Sequence, residues 1–345
     1  MDAFLLLLLL LCLIGVRIAP RGTLFNETGL DRDHTGAIRG FLCLLIILDH
    51  SSLLTSCGYS VAVLKRVGPY VVAMFYALSA YGLTASYSKG GCCLKGYWKK
   101  RLLNTILPYL LFYILAVALR LALREHLTAK DILLSFVNGH PMVLYSWFIL
   151  TIIVFYVVFY AAALLAKKDL PLLTVLVGSA LFFFVFAMQK LGYEDFWFNA
   201  AWAFPLGILW QQIHPRISGV FSSHPWVYLA ITGAVALWWI ATAEHFFWFG
   251  YLARLCSTLS MCVFLLLLMF KLKIGNPVLR FCGKISLEIY MSHGVLVTVL
   301  RAFLSPAKQP YLFVGLLLAG TILLAWLFHL AYGVLQKMVQ GETHK

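Results

Sequence analysis

Apolar runs of about 20 residues, the length that crosses a bilayer, recur from one end of this chain to the other. One of them, WFILTIIVFYVVFYAAALLA from Trp147 to Ala166, contains no charged residue at all. A soluble domain is roughly 25% charged. Here only 12% of 345 residues are charged and 62% are hydrophobic, with a mean hydropathy of +0.90. So little charge cannot cover a surface in water, so lipid is the solvent. The expected fold is all-α, a polytopic helical membrane protein.

The runs predict spans near 3–19, 37–56, 67–87, 102–123, 142–166, 170–188, 199–213, 225–241, 251–270, 285–304 and 311–335, the 199–213 segment being the shortest of the interior ones. These are eleven candidates, or ten with one added in front. Two units follow. Residues 1–20 are an N-terminal hydrophobic span, a possible signal-anchor, and residues 31–340 form one membrane-embedded domain. The amino end carries Asp2, no Lys or Arg, and no small-residue cleavage pattern, which favours retention over cleavage.

Orientation follows from the basic loops. Lys89, Lys95, Lys99, Lys100 and Arg101 sit between two spans and place the 88–101 loop in the cytoplasm. Alternating from there gathers roughly two-thirds of the 27 Lys and Arg on that side, Lys345 and the carboxyl end included, and implies a plasma-membrane protein. Arg120, Arg124 and Lys130 fall on the outer side. The net charge of +14 is therefore read as topology and contact with anionic lipid, not as a nucleic-acid surface. None of the eight Cys has metal-ligand or CxxC spacing. Cys92-Cys93 reads as a reduced pair, with palmitoylation as the sharper alternative. Nothing in the sequence sets an oligomeric state.

An ionisable residue costs about 2.5–3.5 kcal/mol at mid-span on insertion scales, so each one inside a span is a functional candidate. The span AIRGFLCLLIILDHSSLLTS carries three: Arg39, Asp49 and His50. Arg39 and His50 are eleven residues apart, about 1100° of helical rotation, which puts them on one face roughly 16 Å apart along the axis. A guanidinium at the membrane surface suits a phosphate. A mid-membrane imidazole suits removal of a hydroxyl proton. Arg39 equally reads as a topology anchor, and His50 as a helix-to-helix hydrogen bond. Asp49 points about 100° away from His50, which argues against its orienting that ring. Glu288 lies four residues from Lys284, the spacing of a helical ion pair. His293 is placed about 12 Å into its span, as a second base, an acceptor-binding group or a packing residue. Ser79 reads as a small residue that permits close helix packing. Phe196-Trp197-Phe198 and Phe246-Phe247-Trp248 suit an interfacial belt or a surface that stacks on sugar rings.

Several stretches occur in a recognisable order. They are Ile38-Arg39-Gly40 through Asp49-His50; Phe75-Tyr76-Ala77-Leu78-Ser79-Ala80-Tyr81-Gly82-Leu83; Lys99-Lys100-Arg101-Leu102 before Ile106-Leu107-Pro108; Ser146-Trp147-Phe148-Ile149; and Ile285 through His293. As an ordered set they resemble the acyltransferase-3 family, with Ala80 where that family usually has Gly. The resemblance implies a ten-helix membrane bundle that transfers an acyl group, usually acetyl from acetyl-CoA, to a hydroxyl of a surface or lipid-linked glycan. The family's essential Arg and His map onto Arg39 and His50. Lys99, Lys100 and Arg101, with Arg39, become candidates for holding the phosphates of coenzyme A; topology charge explains them equally well. No metal is implied. Transfer of succinyl or another acyl group, a glycan exporter or flippase of the same fold, and a sensing domain are the rival readings.

Overall fold

The computed structural model describes residues 2–20, 22–55, 64–89, 94–244 and 250–340. Cys92-Cys93, Phe246-Phe247-Trp248, Arg21 and Lys345 lie outside them. The described elements are helices apart from one two-stranded ribbon. Helix α1 (Asp2–Leu13) leads to strand β1 (Val16–Ile18), followed by α2 (Arg32–Leu54) and α3 (Gly68–Ser88). A continuous helix then runs from Tyr97 to Ala122, as α4 (Tyr97–Arg101), a π-helical turn (Leu102–Ile106) and α5 (Leu107–Ala122). Short α6 (Ala129–Leu134) precedes α7 (Trp147–Ala166) and α8 (Leu170–Lys190). After these come α9 (Ala203–Ser223), α10 (Pro225–Glu244), α11 (Gly250–Leu268), strand β2 (Leu272–Ile274), α12 (Pro277–Lys284), α13 (Ser286–Phe303) and α14 (Pro310–Gln340).

Seven of these helices are long and apolar enough to cross a membrane: α2, the Tyr97–Ala122 helix, α7, α8, α10, α11 and α14. That makes a multi-pass membrane protein, with seven of the expected spans met on length and apolarity among the described residues. Helices α3, α9 and α13 have the length but not the apolarity. Helix α9 carries Gln211, Gln212, His214 and Arg216, and α13 carries Glu288, His293 and Arg301. The expected 3–19 span is corrected. Helix α1 has 12 residues, about 18 Å at 1.5 Å per residue, short of a ~30 Å hydrocarbon core. Gly15, with φ +81°, then turns the chain into β1. The 199–213 segment differs in the other direction: its helix starts at Ala203 and continues through Pro215 to Ser223.

Strands β1 and β2 pair antiparallel, Arg17 opposite Lys273, and form the only ribbon among the described residues. Asp31 sits beside it. One carboxylate oxygen caps α2 by accepting from Asp33 N at 3.0 Å, and the other accepts from Lys273 Nζ at 2.8 Å. That lysine holds the Asp31 carboxyl below the usual carboxylate range.

Helix α2 is the axle of the fold. In its most apolar stretch 72% of residues are buried, against 6% in α10, which faces outward. It can be enclosed because its first turns are bare. Gly36 and Gly40 are spaced as a small-x-x-x-small pair, the pattern that lets helix backbones touch. A Cβ on Gly40 would collide with the Leu279 carbonyl, and one on Gly283 with the Gly36 carbonyl. Backbone therefore lies on backbone between α2 and α12. Gly207 of α9 abuts the Ala77 carbonyl of α3 in the same way.

Candidate active site

Two features meet along α2. At its Arg39 end a cavity of ≈ 650 Å³ opens between α2, α3, α4, α7 and α13. Arg32, Arg39, Lys89, Lys100 and Arg101 line it, and no carboxylate does. Hydroxyls and an amide, among them Ser79, Ser86, Tyr156 and Asn104, add polar partners. Lys99 is not among the lining residues, whereas Lys100 and Arg101 are. Ser79, read from sequence as a packing residue, lines the cavity. The Arg101 guanidinium lies 4.5 Å from the centre of the Tyr156 ring, a cation–π distance. The π-helical turn belongs to this wall. Pro108 has no N–H to give the Asn104 carbonyl one turn back, and the backbone widens at 102–106, bringing Asn104 and Thr105 to the cavity.

About 16 Å further along the helix, His50 meets His293. His50 Nδ1 and His293 Nε2 are 2.8 Å apart, one donating and the other accepting. Both rings are buried, at 7% and 0% exposure. Tyr145, in the loop before α7, stacks on His50 with ring centres 3.8 Å apart and planes 10° from parallel. Its backbone has φ +64°, a left-handed conformation that costs a non-glycine residue about 1–2 kcal/mol. Neighbours impose it. The Tyr290 hydroxyl donates to the Tyr145 carbonyl at 2.6 Å, and Gly294 leaves room for the Leu144 carbonyl against α13.

Asp49 lies closer to His50 than a 100° offset suggests, with Oδ2 at 3.9 Å from His50 Nε2. That is a charge contact, longer than a hydrogen bond. Its other oxygen accepts from Gly68 N at 2.9 Å, where an anion complements the N-terminus of α3. A Cβ at 68 would approach Oδ2 to 2.8 Å and push the carboxylate aside. Glu288 goes elsewhere. It accepts from or shares a proton with His329 Nδ1 of α14 at 2.7 Å, in place of the Lys284 pair that its spacing suggested, and it does not line the cavity.

Cavity and histidines are separated by one layer of side chains. Phe75, Phe148 and Tyr290 line the deep end of the cavity. Tyr290 stands edge-on to His293 at 5.2 Å and packs on Phe148 at 5.1 Å. One face of Tyr290 thus belongs to the cationic cavity and the other to the histidine pair.

A family model described as an acyltransferase domain matches residues 35–330. The chain belongs to the acyltransferase-3 family. A search of curated proteins and one of solved structures return no match. This acyltransferase carries its ordered motifs on the elements just described. Arg39 and His50 lie on α2, Ser79 on α3, Lys100 and Arg101 on α4, and Tyr290 and His293 on α13. Tyr145 is the member that sequence reasoning missed. It sits one residue before the Ser146-Trp147-Phe148-Ile149 stretch, in a loop with no helical periodicity to mark it. Tyr290 lay inside a quoted motif but carried no charge to single it out.

Proposed function

We propose that this acyltransferase moves acetyl from coenzyme A to a carbohydrate hydroxyl, with the donor held in the cationic cavity and the acceptor presented at His50. The observation that carries this reading is the arrangement along α2: five cations around a deep cavity at one end, a buried histidine pair at the other, and one side-chain layer between.

Arg39, Lys100 and Arg101 bind the donor phosphates, Arg39 through a planar fork suited to two oxygens. The thioester end reaches the Tyr290 layer. His50 Nε2, which makes no hydrogen bond among the described residues, takes the acceptor hydroxyl proton as the oxygen attacks the acyl carbon. His293 holds His50 Nδ1 and fixes the tautomer, and the Asp49 carboxylate at 3.9 Å stabilises the imidazolium that forms. The proton then passes from His50 to the departing coenzyme A thiolate. Glu288, paired with His329, acts at a distance by holding α13 against α14. The acceptor is a surface or lipid-linked glycan. In the proposed topology the Arg39 end and the carboxyl end face the cytoplasm, in the plasma membrane, and all ten helices of 18 residues or more cross the bilayer.

The test is transfer of radiolabelled acetyl from acetyl-CoA to lipid-linked or free glycans by the purified protein in liposomes. Wild type labels the glycan, and His50→Ala loses about 10²–10⁴-fold of the rate while still binding acetyl-CoA. A His50→Ala variant that transfers at the wild-type rate removes His50 from the chemistry.

A further inference from the structure

A second concave site lies at the end of the bundle that carries His50. It is a cleft of ≈ 240 Å³ between residues 137–140, after α6, and residues 191–197, after α8. Both loops turn on a left-handed glycine, Gly139 at φ +79° and Gly192 at φ +74°. The Tyr193 hydroxyl donates to the Val137 carbonyl and ties one loop to the other. Gly139 faces the aromatic wall: a Cβ there would sit 3.7 Å from the Tyr193 ring and 3.9 Å from Trp197 Nε1.

The lining is of two kinds. Tyr193, Phe196 and Trp197 give aromatic surface, with the Tyr193 and Trp197 rings edge to face at 5.3 Å. Asn138, His140 and Glu194 give hydrogen-bonding groups, and no Lys or Arg lines the cleft among the described residues. A pyranose has matching halves, an apolar C–H face for an aromatic ring and hydroxyls that both donate and accept. Phe198, grouped with Phe196 and Trp197 by sequence, is 1% exposed and packs on Tyr251, so it takes no part.

One segment of chain joins the cleft to the histidine pair. Four residues separate His140 from Tyr145, which stacks on His50. Trp147, the first residue of α7, packs on Phe196 at 5.2 Å and Trp197 at 6.1 Å. The segment 137–147 therefore walls the cleft on one side and covers His50 on the other.

We infer that this cleft is an acceptor subsite that binds one neutral pyranose ring, stacked on the Tyr193 and Phe196 aromatic wall and held through its hydroxyls by Asn138 and Glu194. This rests on the reading that the acceptor is a carbohydrate. The class is specific. The Glu194 carboxylate, with no Lys or Arg among the described residues that line the cleft, repels uronic and sialic acids and suits uncharged hexoses.

The experiment is saturation-transfer NMR on the full chain in nanodiscs, without sugar detergents. Methyl β-glucoside and methyl β-galactoside are the neutral probes, and glucuronate is the acidic one. The neutral glycosides receive saturation and glucuronate does not. Affinity falls about tenfold in Glu194→Gln, which removes a hydrogen bond to a charged group, and in Phe196→Ala. Glu194→Gln is nearly isosteric and exposed, so it decides the matter even where Phe196→Ala fails to fold. Absence of transfer to both neutral glycosides, or equal binding by wild type and Glu194→Gln, overturns the inference. Acetyl transfer measured on the same samples separates the two readings. Glycan acetylation without glycoside binding sinks the subsite alone. Variant-sensitive glycoside binding without acetyl transfer keeps the subsite and sinks the donor chemistry.

Discussion

Tyr290 touches every part of the site. It lines the cavity, packs on Phe148, stands edge-on to His293 and donates to the carbonyl of Tyr145. That last bond holds a strained backbone, so its loss has a defined consequence. Tyr290→Phe keeps the ring and the wall but frees the Tyr145 loop, releasing the stack that fixes His50. The expected outcome in the acetyl-transfer assay is a drop of roughly tenfold in kcat, about 1.4 kcal/mol, from one lost hydrogen bond to a positioning group. KM for acetyl-CoA stays unchanged, because the cavity side of the ring is intact. A rise in KM with kcat preserved would instead make Tyr290 a donor-binding residue. At this scale the sequence revealed half the site. Arg39 and His50 share a helix, and their spacing alone places them on one face. His293 sits 243 residues from its partner, and only the packing of α13 on α2 brings the rings together. Tyr145 carries no charge and lies in no repeat, so nothing local marks it.

Among the elements, α2 and α12 depend on bare backbone. A methyl group on Gly283 meets the Gly36 carbonyl, and a backbone atom cannot swing aside as a side chain does. Gly283→Ala therefore forces the two helices apart, at a cost of about 1–3 kcal/mol as in other overpacked cores. A lower melting temperature of the detergent-solubilised protein, with reduced yield, is the expected result. Gly315→Ala, where nothing lies within 4 Å, serves as the control and leaves melting unchanged. Element boundaries were legible where apolar runs are long and unbroken, as in α7, α8 and α14. They were misread where hydropathy and geometry part company. The leading Leu run continues in composition to Ala19, but Gly15 bends the chain. Gln211 to Pro215 look like the end of a span, yet α9 continues through them, with His214 buried and hydrogen-bonded to the Asn26 carbonyl.

For the molecule as a whole, the charge distribution separates two tasks. Cations gather around the larger cavity, while the 137–147 and 191–197 end offers aromatic rings, an amide and a carboxylate. Neutralising the cavity should weaken donor binding and nothing else. The pair Lys100→Met and Arg101→Met removes two phosphate partners and should raise KM for acetyl-CoA about 10-fold or more, taking each charged hydrogen bond at roughly 1.5–3 kcal/mol and discounting for solvent. The wild-type KM should climb with ionic strength, and that of the double variant should climb less. Steady-state kinetics across a salt series reads both, and parallel slopes would show that these cations are topology charge. The sequence already pointed to this cluster as a basic loop. The cavity that gives it a purpose depends on α3, α7 and α13 closing around α2, which no single stretch encodes.

The separation of 243 positions between His50 and His293 also fixes an order of events during biosynthesis. A ribosome adding about 5–20 residues per second takes roughly 12–50 s to make the intervening chain. Over that interval α2 is in place with its glycines uncovered and its imidazole awaiting the ring that will hold it. Strand β1 likewise awaits β2, and Asp31 awaits Lys273. The last third of the chain is thus the clasp of the first, and maturation of the nascent polypeptide is gated by its carboxyl-terminal helices.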